Sequence, residues 1–182
     1  CIRDRNTFTP ILFDFIKKMN KKYKDLFFVF HSTQEHVQLL QKQLLDEGLK
    51  NCGAIADEKI KSHILKSSVF AVAKSGTISL EICNSKIPSI IIYKMGTINF
   101  FIVKMLVKVK FANIINIAAG EEVIPELLQS KCNAKDIYNS VDKLMNDKTA
   151  LENQLNKTQS IISNFKTDKS SEIASSILKD YI

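Results

Sequence analysis

Apolar and polar positions along this chain alternate between a helical and an extended rhythm. From Pro10 to Tyr23, Ile11, Leu12, Phe15, Ile16 and Met19 share one side of a predicted helix. Leu26-Phe27-Phe28-Val29-Phe30 is short, apolar and aromatic, which predicts a strand buried on both faces. Helical spacing returns from Gln34 to Glu47 and stops at Gly48, a residue suited to the turn after a helix. Cys52–Ile55 reads as a weak strand. Asp57 can cap a helix running to Ser67, with Ile60, Ile64 and Leu65 inward. Val69-Phe70-Ala71-Val72-Ala73 is the next strand, followed by Lys74-Ser75-Gly76-Thr77 and a helix to about Lys86. Pro88 opens the strand Ser89-Ile90-Ile91-Ile92-Tyr93. Strands alternating with helices through short connections predict a parallel sheet covered on both faces, a doubly wound, Rossmann-like α/β fold.

The carboxyl-terminal part is less regular. Residues 97–110 form an apolar-rich segment. Asn113 to Gly120 reads as a loop or short strand. A helix is expected from about Pro125, because proline is tolerated in a first turn. Asn133 can cap a helix over Ala134–Met145. The remainder, roughly 148–181, is amphipathic, with Ile161, Ile162, Phe165, Ile173, Ile177 and Leu178 as its anchors.

Composition narrows this picture only a little. The 182 residues, 45% hydrophobic and 25% charged, suffice for one domain with a core. With only 3 Pro and 5 Gly, turn residues are too few for a β-sandwich. The formal charge of +7 suits phosphorylated ligands, anionic lipid or nucleic acid, and equally a lysine-rich solvated surface. No basic stripe with aromatic platforms supports nucleic-acid binding. Four cysteines without C-x-x-C spacing argue against zinc and dithiol chemistry, and Cys83 reads as a buried small hydrophobe in a reducing compartment. The histidines lack metal-ligand spacing. The first residue is Cys1 rather than Met, which hints at a fragment.

Three features carry candidate chemistry. Ser75-Gly76-Thr77 stands where a strand hands over to a helix, at the carboxyl edge of the predicted sheet. Free N–H groups there favour a phosphate, Gly76 permits close backbone approach, and Ser75 and Thr77 add hydroxyls. Glu81, one helical turn past Thr77, can accept ribose hydroxyls from the same face. The alternative is a plain helix cap with a solvated glutamate. In residues 97–110, Lys104 and Lys108 are four apart and share a helix face, and Phe100 and Phe101 add aromatic rings. Such a helix suits an anionic membrane surface, or a core position with snorkelling lysines; it is too short for the about 20 residues that span a bilayer. Asn116, in an apolar stretch, must find partners for its amide, from a ligand or from its own loop.

Taken in order, these blocks resemble lipid-A-disaccharide synthase. Ala73-Lys74-Ser75-Gly76-Thr77-Ile78-Ser79-Leu80-Glu81 resembles that family's A-S-G-T-A-T-L-E block. Pro88 to Met95 looks like its P-M-V-V-x-Y-R/K-M strand, and Phe100 to Lys108 like its aromatic and basic helix. Asn113 to Gln129 is similar to S-L-P-N-L-L-A-G-R-E-V-V-P-E-L-L-Q. The similarity covers most of the chain and is strongest over residues 70–130.

The resemblance implies the C-terminal, donor-binding domain of a GT-B glycosyltransferase. It would fill 1–182, with a helical tail from about 147, and the N-terminal acceptor domain would be absent. It implies an inverting, metal-independent transfer without a cofactor. The sugar would pass from UDP-2,3-diacylglucosamine to 2,3-diacylglucosamine 1-phosphate (lipid X), giving lipid A disaccharide phosphate and UDP. The setting would be the cytoplasmic face of a Gram-negative inner membrane, with self-association left open and no nucleic acid. By position, Ser75, Gly76, Thr77 and Glu81 would hold UDP and Asn116 would act catalytically near the diphosphate. Phe100, Phe101, Lys104 and Lys108 would face the lipid substrates or the membrane. Two departures stand out. The family's Gly-Ser-Arg turn has no counterpart near Arg3 and Arg5, and Glu121 replaces an arginine. A second reading is therefore a truncated, inactive remnant that at most binds UDP-sugar or a membrane surface.

Overall fold

A computed structural model describes residues 2–96 and 110–165, with side chains from Asn6 onward. The expected α/β alternation is present. The order is α1 (Ile2–Lys22), β1 (Phe28–His31), α2 (Gln34–Asp46), β2 (Cys52–Ile55), α3 (Glu58–Ser67), β3 (Ala71–Lys74), α4 (Ile78–Asn84) and β4 (Ser89–Tyr93). Then follow α5 (Ile114–Ala119), β5 (Glu126–Leu128), a 3₁₀ turn (Gln129–Lys131), α6 (Ala134–Asn146) and α7 (Lys148–Phe165). Every strand pairing is parallel. β1 pairs with β2, and β3, β4 and β5 form a second sheet in that order.

Side chains of β3 and β4 divide between two cores, because successive residues of a strand point to opposite faces. Ile90 and Ile92 join one core, with Phe13, Ile16 and Met19 of α1, Leu40 and Leu44 of α2, and Ile137 and Val141 of α6. Phe28 and Phe30 of β1, and Phe70 and Val72 at β3, pack against this same core. Ile91 and Ala73 join the other, with Ile82 and Cys83 of α4, Ile115 of α5, Ile124 and Ile162 of α7. β4 is accordingly the strand buried on both faces. β1 is not: Phe28 and Phe30 face α1, while Val29 and His31 are exposed. The ring pairs Phe13–Phe30 and Phe15–Phe28 stand edge-on at 6.0 and 6.3 Å, a favoured aromatic geometry.

Several expectations need correction. α1 begins well before Pro10, which lies inside it. Asn113–Gly120 is neither loop nor strand but the helix α5. Asn113 caps it by accepting the Ile115 N–H at 2.8 Å, and Gly120 ends it at φ 70°. The helix expected from Pro125 is instead strand β5, because the open edge of β4 needs a partner and Ile91 N–H donates to Pro125 C=O at 2.9 Å. Tertiary pairing overrides the helix preference of Glu-Leu-Leu-Gln there. In α3, Ile60 was expected inward but is half exposed. In α7, Ile162 is buried as expected, whereas Phe165 is exposed. Ile173, Ile177 and Leu178 lie outside the described residues.

One buried polar side chain fastens α7 to the sheet. The Gln154 carboxamide accepts from Ser89 N–H at 2.8 Å and donates to Ser89 C=O at 3.0 Å, as a neighbouring strand would. Replacing it strands buried backbone groups, each costing about 1–3 kcal/mol. Gln154→Leu should therefore lower unfolding free energy by roughly 2 kcal/mol in denaturant titration, whereas Asn153→Leu on the exposed side should change it little.

Candidate functional site

The candidate site is built at the carboxyl ends of β3 and β4, where open parallel sheets bind ligands. The ladder continues one residue past β3: Ser75 N–H donates to Ile92 C=O at 3.2 Å. The Ser75 hydroxyl then donates to Ala112 C=O at 2.7 Å, drawing the 110–113 stretch to the strand end. Gly76 and Thr77 are exposed, and neither backbone N–H has an acceptor among the described residues. A Cβ built on Gly76 would meet nothing within 4 Å. The protein itself does not require glycine there; the space in front of it is open. Gly76 C=O accepts from Ser79 N–H at 3.3 Å and from the Ser79 hydroxyl at 2.6 Å, so the turn is held from behind. The Thr77 hydroxyl makes no capping bond to α4.

Glu81 lies on the first turn of α4. Its Oε2 accepts Lys61 Nζ at 2.8 Å, and its Oε1 has no partner among the described residues. Lys61 is itself mostly covered and also pairs with Glu58, whose Oε1 meets His31 Nε2 at 3.1 Å. A string of side-chain contacts, His31–Glu58–Lys61–Glu81, thus runs from the end of β1 across α3 to α4. Glu58 and then Glu81 raise the Lys61 pKa above its ordinary value, and the hydrogen bond from Lys61 chiefly holds the Glu58 carboxyl below its usual range.

Asn116 sits behind this surface rather than on it. It is fully buried, and its amide is wholly used inside the protein. Its Nδ2 donates to Ile124 C=O at 2.7 Å and to Glu126 Oε1 at 2.8 Å; its Oδ1 accepts from Val123 and Ile124 N–H at 2.9 Å each. Glu126 also accepts from the N–H groups of Ala112 at 2.7 Å and Asn113 at 2.9 Å. Asn116 and Glu126 therefore clamp both ends of the 112–126 stretch that Ser75 grips. In the sequence Glu126 carries no signal beyond its place two residues past the apolar Ile124. Phe100, Phe101, Lys104 and Lys108 lie outside the described residues. Burial pushes the Cys83 thiol up to about 11, in keeping with an unreactive core residue.

A family model for lipid-A-disaccharide synthetase matches residues 4–179. The chain belongs to that family. Similar relatives include the lipid-A-disaccharide synthases of Rickettsia prowazekii (strain Madrid E) and Rickettsia typhi (strain ATCC VR-144 / Wilmington). Each is 35% identical over 173 residues, covering 93% of this chain and 45% of the relative. That of a Sulfurihydrogenibium species (strain YO3AOP1) is 34% identical over 157 residues, covering 82% of this chain and 40% of the relative. The chain thus spans under half the length of these relatives.

Two outcomes follow from the geometry. Asn116→Ala leaves the Val123 and Ile124 N–H groups without their acceptor and removes one of the three donors to Glu126, and should destabilise the fold by roughly 2–4 kcal/mol in thermal or denaturant unfolding. Because the folded Glu58 pKa is depressed, its ion pair is intact above its ordinary 4.5 and is lost as pH falls below that value. Carboxyl NMR titration should place Glu58 below 4.5, and Lys61→Met should return it toward 4.5.

Proposed function

We propose that this chain is the donor-binding part of a lipid-A-disaccharide synthase-type glycosyltransferase. The full enzyme would transfer 2,3-diacylglucosamine from UDP-2,3-diacylglucosamine to 2,3-diacylglucosamine 1-phosphate. The observation that carries this reading is the open turn at Gly76-Thr77, whose two N–H groups, like Glu81 Oε1 beside them, have no partner among the described residues, at the carboxyl edge of a parallel sheet. The N–H groups suit a diphosphate. Glu81 Oε1 suits the ribose hydroxyls, with Lys61 holding the other oxygen in place. Thr77 offers its hydroxyl, and Ser75 acts indirectly by fixing the 112 stretch.

In the transfer, the acceptor hydroxyl oxygen attacks the anomeric carbon as the bond to UDP breaks. The electron pair leaves with UDP, and the anomeric centre inverts. Preorganised donors on this half stabilise the charge that develops on the diphosphate, which accounts for a metal-independent reaction. Asn116 contributes as a positioning residue, since its amide is spent on Ile124 and Glu126. The base that takes the acceptor proton belongs to the acceptor half of the enzyme, so this chain alone should show no turnover. The aromatic and basic segment with Phe100, Phe101, Lys104 and Lys108 would meet the lipid-bearing substrates at a membrane surface, consistent with the net charge of +7. Among the described residues no helix is long and apolar enough to cross a membrane.

Titration with UDP tests the site directly. Binding should be measurable at millimolar UDP by calorimetry or ligand-observed NMR, and Glu81→Ala should weaken it about tenfold. UMP, lacking the second phosphate, should bind more weakly than UDP. Binding that is indifferent to Glu81→Ala would overturn the ribose assignment.

A further inference from the structure

Two carboxylates share one lysine beside the Gly76-Thr77 turn. On α3, Glu58 stands one helical turn before Lys61, and its Oε2 contacts Lys61 Nζ. Across the gap to α4, Glu81 Oε2 accepts from the same Nζ at 2.8 Å. The lysine is the covered member of the three. Its side chain is 13% exposed, against 68% for Glu58 and 47% for Glu81. Among the described residues no other cation pairs with Glu81. The three side chains together carry one net negative charge. A carboxylate at this turn can accept ribose hydroxyls, but it also repels any phosphate bound alongside. How far the lysine offsets that repulsion depends on how it is divided between its two partners.

Local structure fixes where this lysine stands. The Asp57 carboxylate caps α3 by accepting the Ile60 N–H at 2.8 Å. Lys61 N–H closes the first turn onto Asp57 C=O at 2.9 Å. One turn further on, Leu65 packs against the same core as Ile78, the first residue of α4. Lys61 and Leu65 are four apart and share a face. The face that anchors α3 to the core therefore also brings the ammonium to α4. On the far side, His31 Nε2 lies 3.1 Å from Glu58 Oε1 and steadies the competing carboxylate from the end of β1. Glu58 first and Glu81 second raise the Lys61 pKa above 10.5, so the lysine is charged at neutral pH.

We propose that Lys61 is a positioning residue that makes Glu81 compatible with a bound nucleoside diphosphate, and that Glu58 limits this effect by drawing on the same ammonium. The inference rests on the donor-site reading above and adds two residues of α3 to it. Lys61 holds Glu81 Oε2, which leaves Oε1 for the ribose hydroxyls, and it offsets the charge that repels the phosphates. It acts through Glu81 without touching the nucleotide. Glu58 works in the opposite sense, because its carboxylate competes for Lys61 and adds negative charge of its own. The two substitutions therefore differ in sign. Without Lys61 the remaining pair carries two negative charges; with Glu58 made neutral, Lys61 and Glu81 carry none. A salt bridge that only stabilised α3 would behave otherwise. Losing either partner would change stability in the same direction and leave nucleotide affinity alone.

Titration with UDP, by calorimetry or ligand-observed NMR, tests this on variants whose unfolding midpoints are measured alongside. Lys61→Met should weaken UDP binding about threefold to fivefold, and Glu58→Gln should tighten it about twofold to threefold, the range of a partly exposed ion pair. Lys61→Arg should keep most of the affinity. The gain from Glu58→Gln should shrink at high salt, which screens charge but leaves packing alone. In a Glu81→Gln background, Lys61→Met should cost less, since the two residues act together. Equal UDP affinity in the unaltered chain and Lys61→Met, with Glu81→Ala still weakening binding, would overturn the inference and leave the donor site standing. An affinity that Glu58→Gln leaves unchanged or weakens would overturn it as well. That second variant decides alone where Lys61→Met does not fold. Absent UDP binding, or binding indifferent to Glu81→Ala, would overturn the donor-site reading and this inference with it.

Discussion

The structure depends on β4 being satisfied on both edges and both faces. Ile90, Ile91 and Ile92 are almost wholly buried, so each backbone group of this strand must be paired within the protein. β3 meets that demand on one side and β5 on the other. Gln154 completes it at Ser89, where β5 does not reach. The site inherits its geometry from the same strand. Ser75 is placed by Ile92, and the 125–128 stretch is placed by Ile91 to Tyr93.

Around that strand the chain separates rigid support from open chemistry. Asn116 is buried, Glu126 is half-buried and the two are paired, an arrangement that fixes one loop conformation at the expense of partly dehydrating a carboxylate. The Gly76-Thr77 turn in front of them is exposed, and its N–H donors have no acceptor among the described residues. A ligand diphosphate would therefore meet N–H groups already oriented, with little reorganisation on binding. The string of side-chain contacts His31–Glu58–Lys61–Glu81 performs a similar service on the other flank, holding one Glu81 oxygen while the second has no partner among the described residues.

The split of the sheet between β1 and β3 bears on stability. β4 reaches near-complete burial because strands flank it on both sides, whereas β1 exposes Val29 and His31. Apolar surface left in water contributes nothing to the core, at about 25 cal/mol per Å² forgone. Open parallel edges are also the surfaces through which sheets associate.

Much of this was legible in the sequence. Short apolar runs and period-3.6 patterns placed β1 to β4 and the helices between them, because each element's burial is written in its own residues. The site turn was legible too, as Gly76 stands between a short apolar strand and a helix whose first turn carries Glu81. What the sequence could not decide were features that depend on distant partners. β5 was read as a helix start because its local residues favour helix, and only the vacant edge of β4 makes it a strand. Asn116 was legible as an amide in need of partners, but not that Glu126 and the Val123–Ile124 backbone would supply all of them. The five apolar residues Leu26–Phe30 read as a strand buried on both faces. Hydrophobicity reports what a strand can bury; only the tertiary structure decides what is present to cover it.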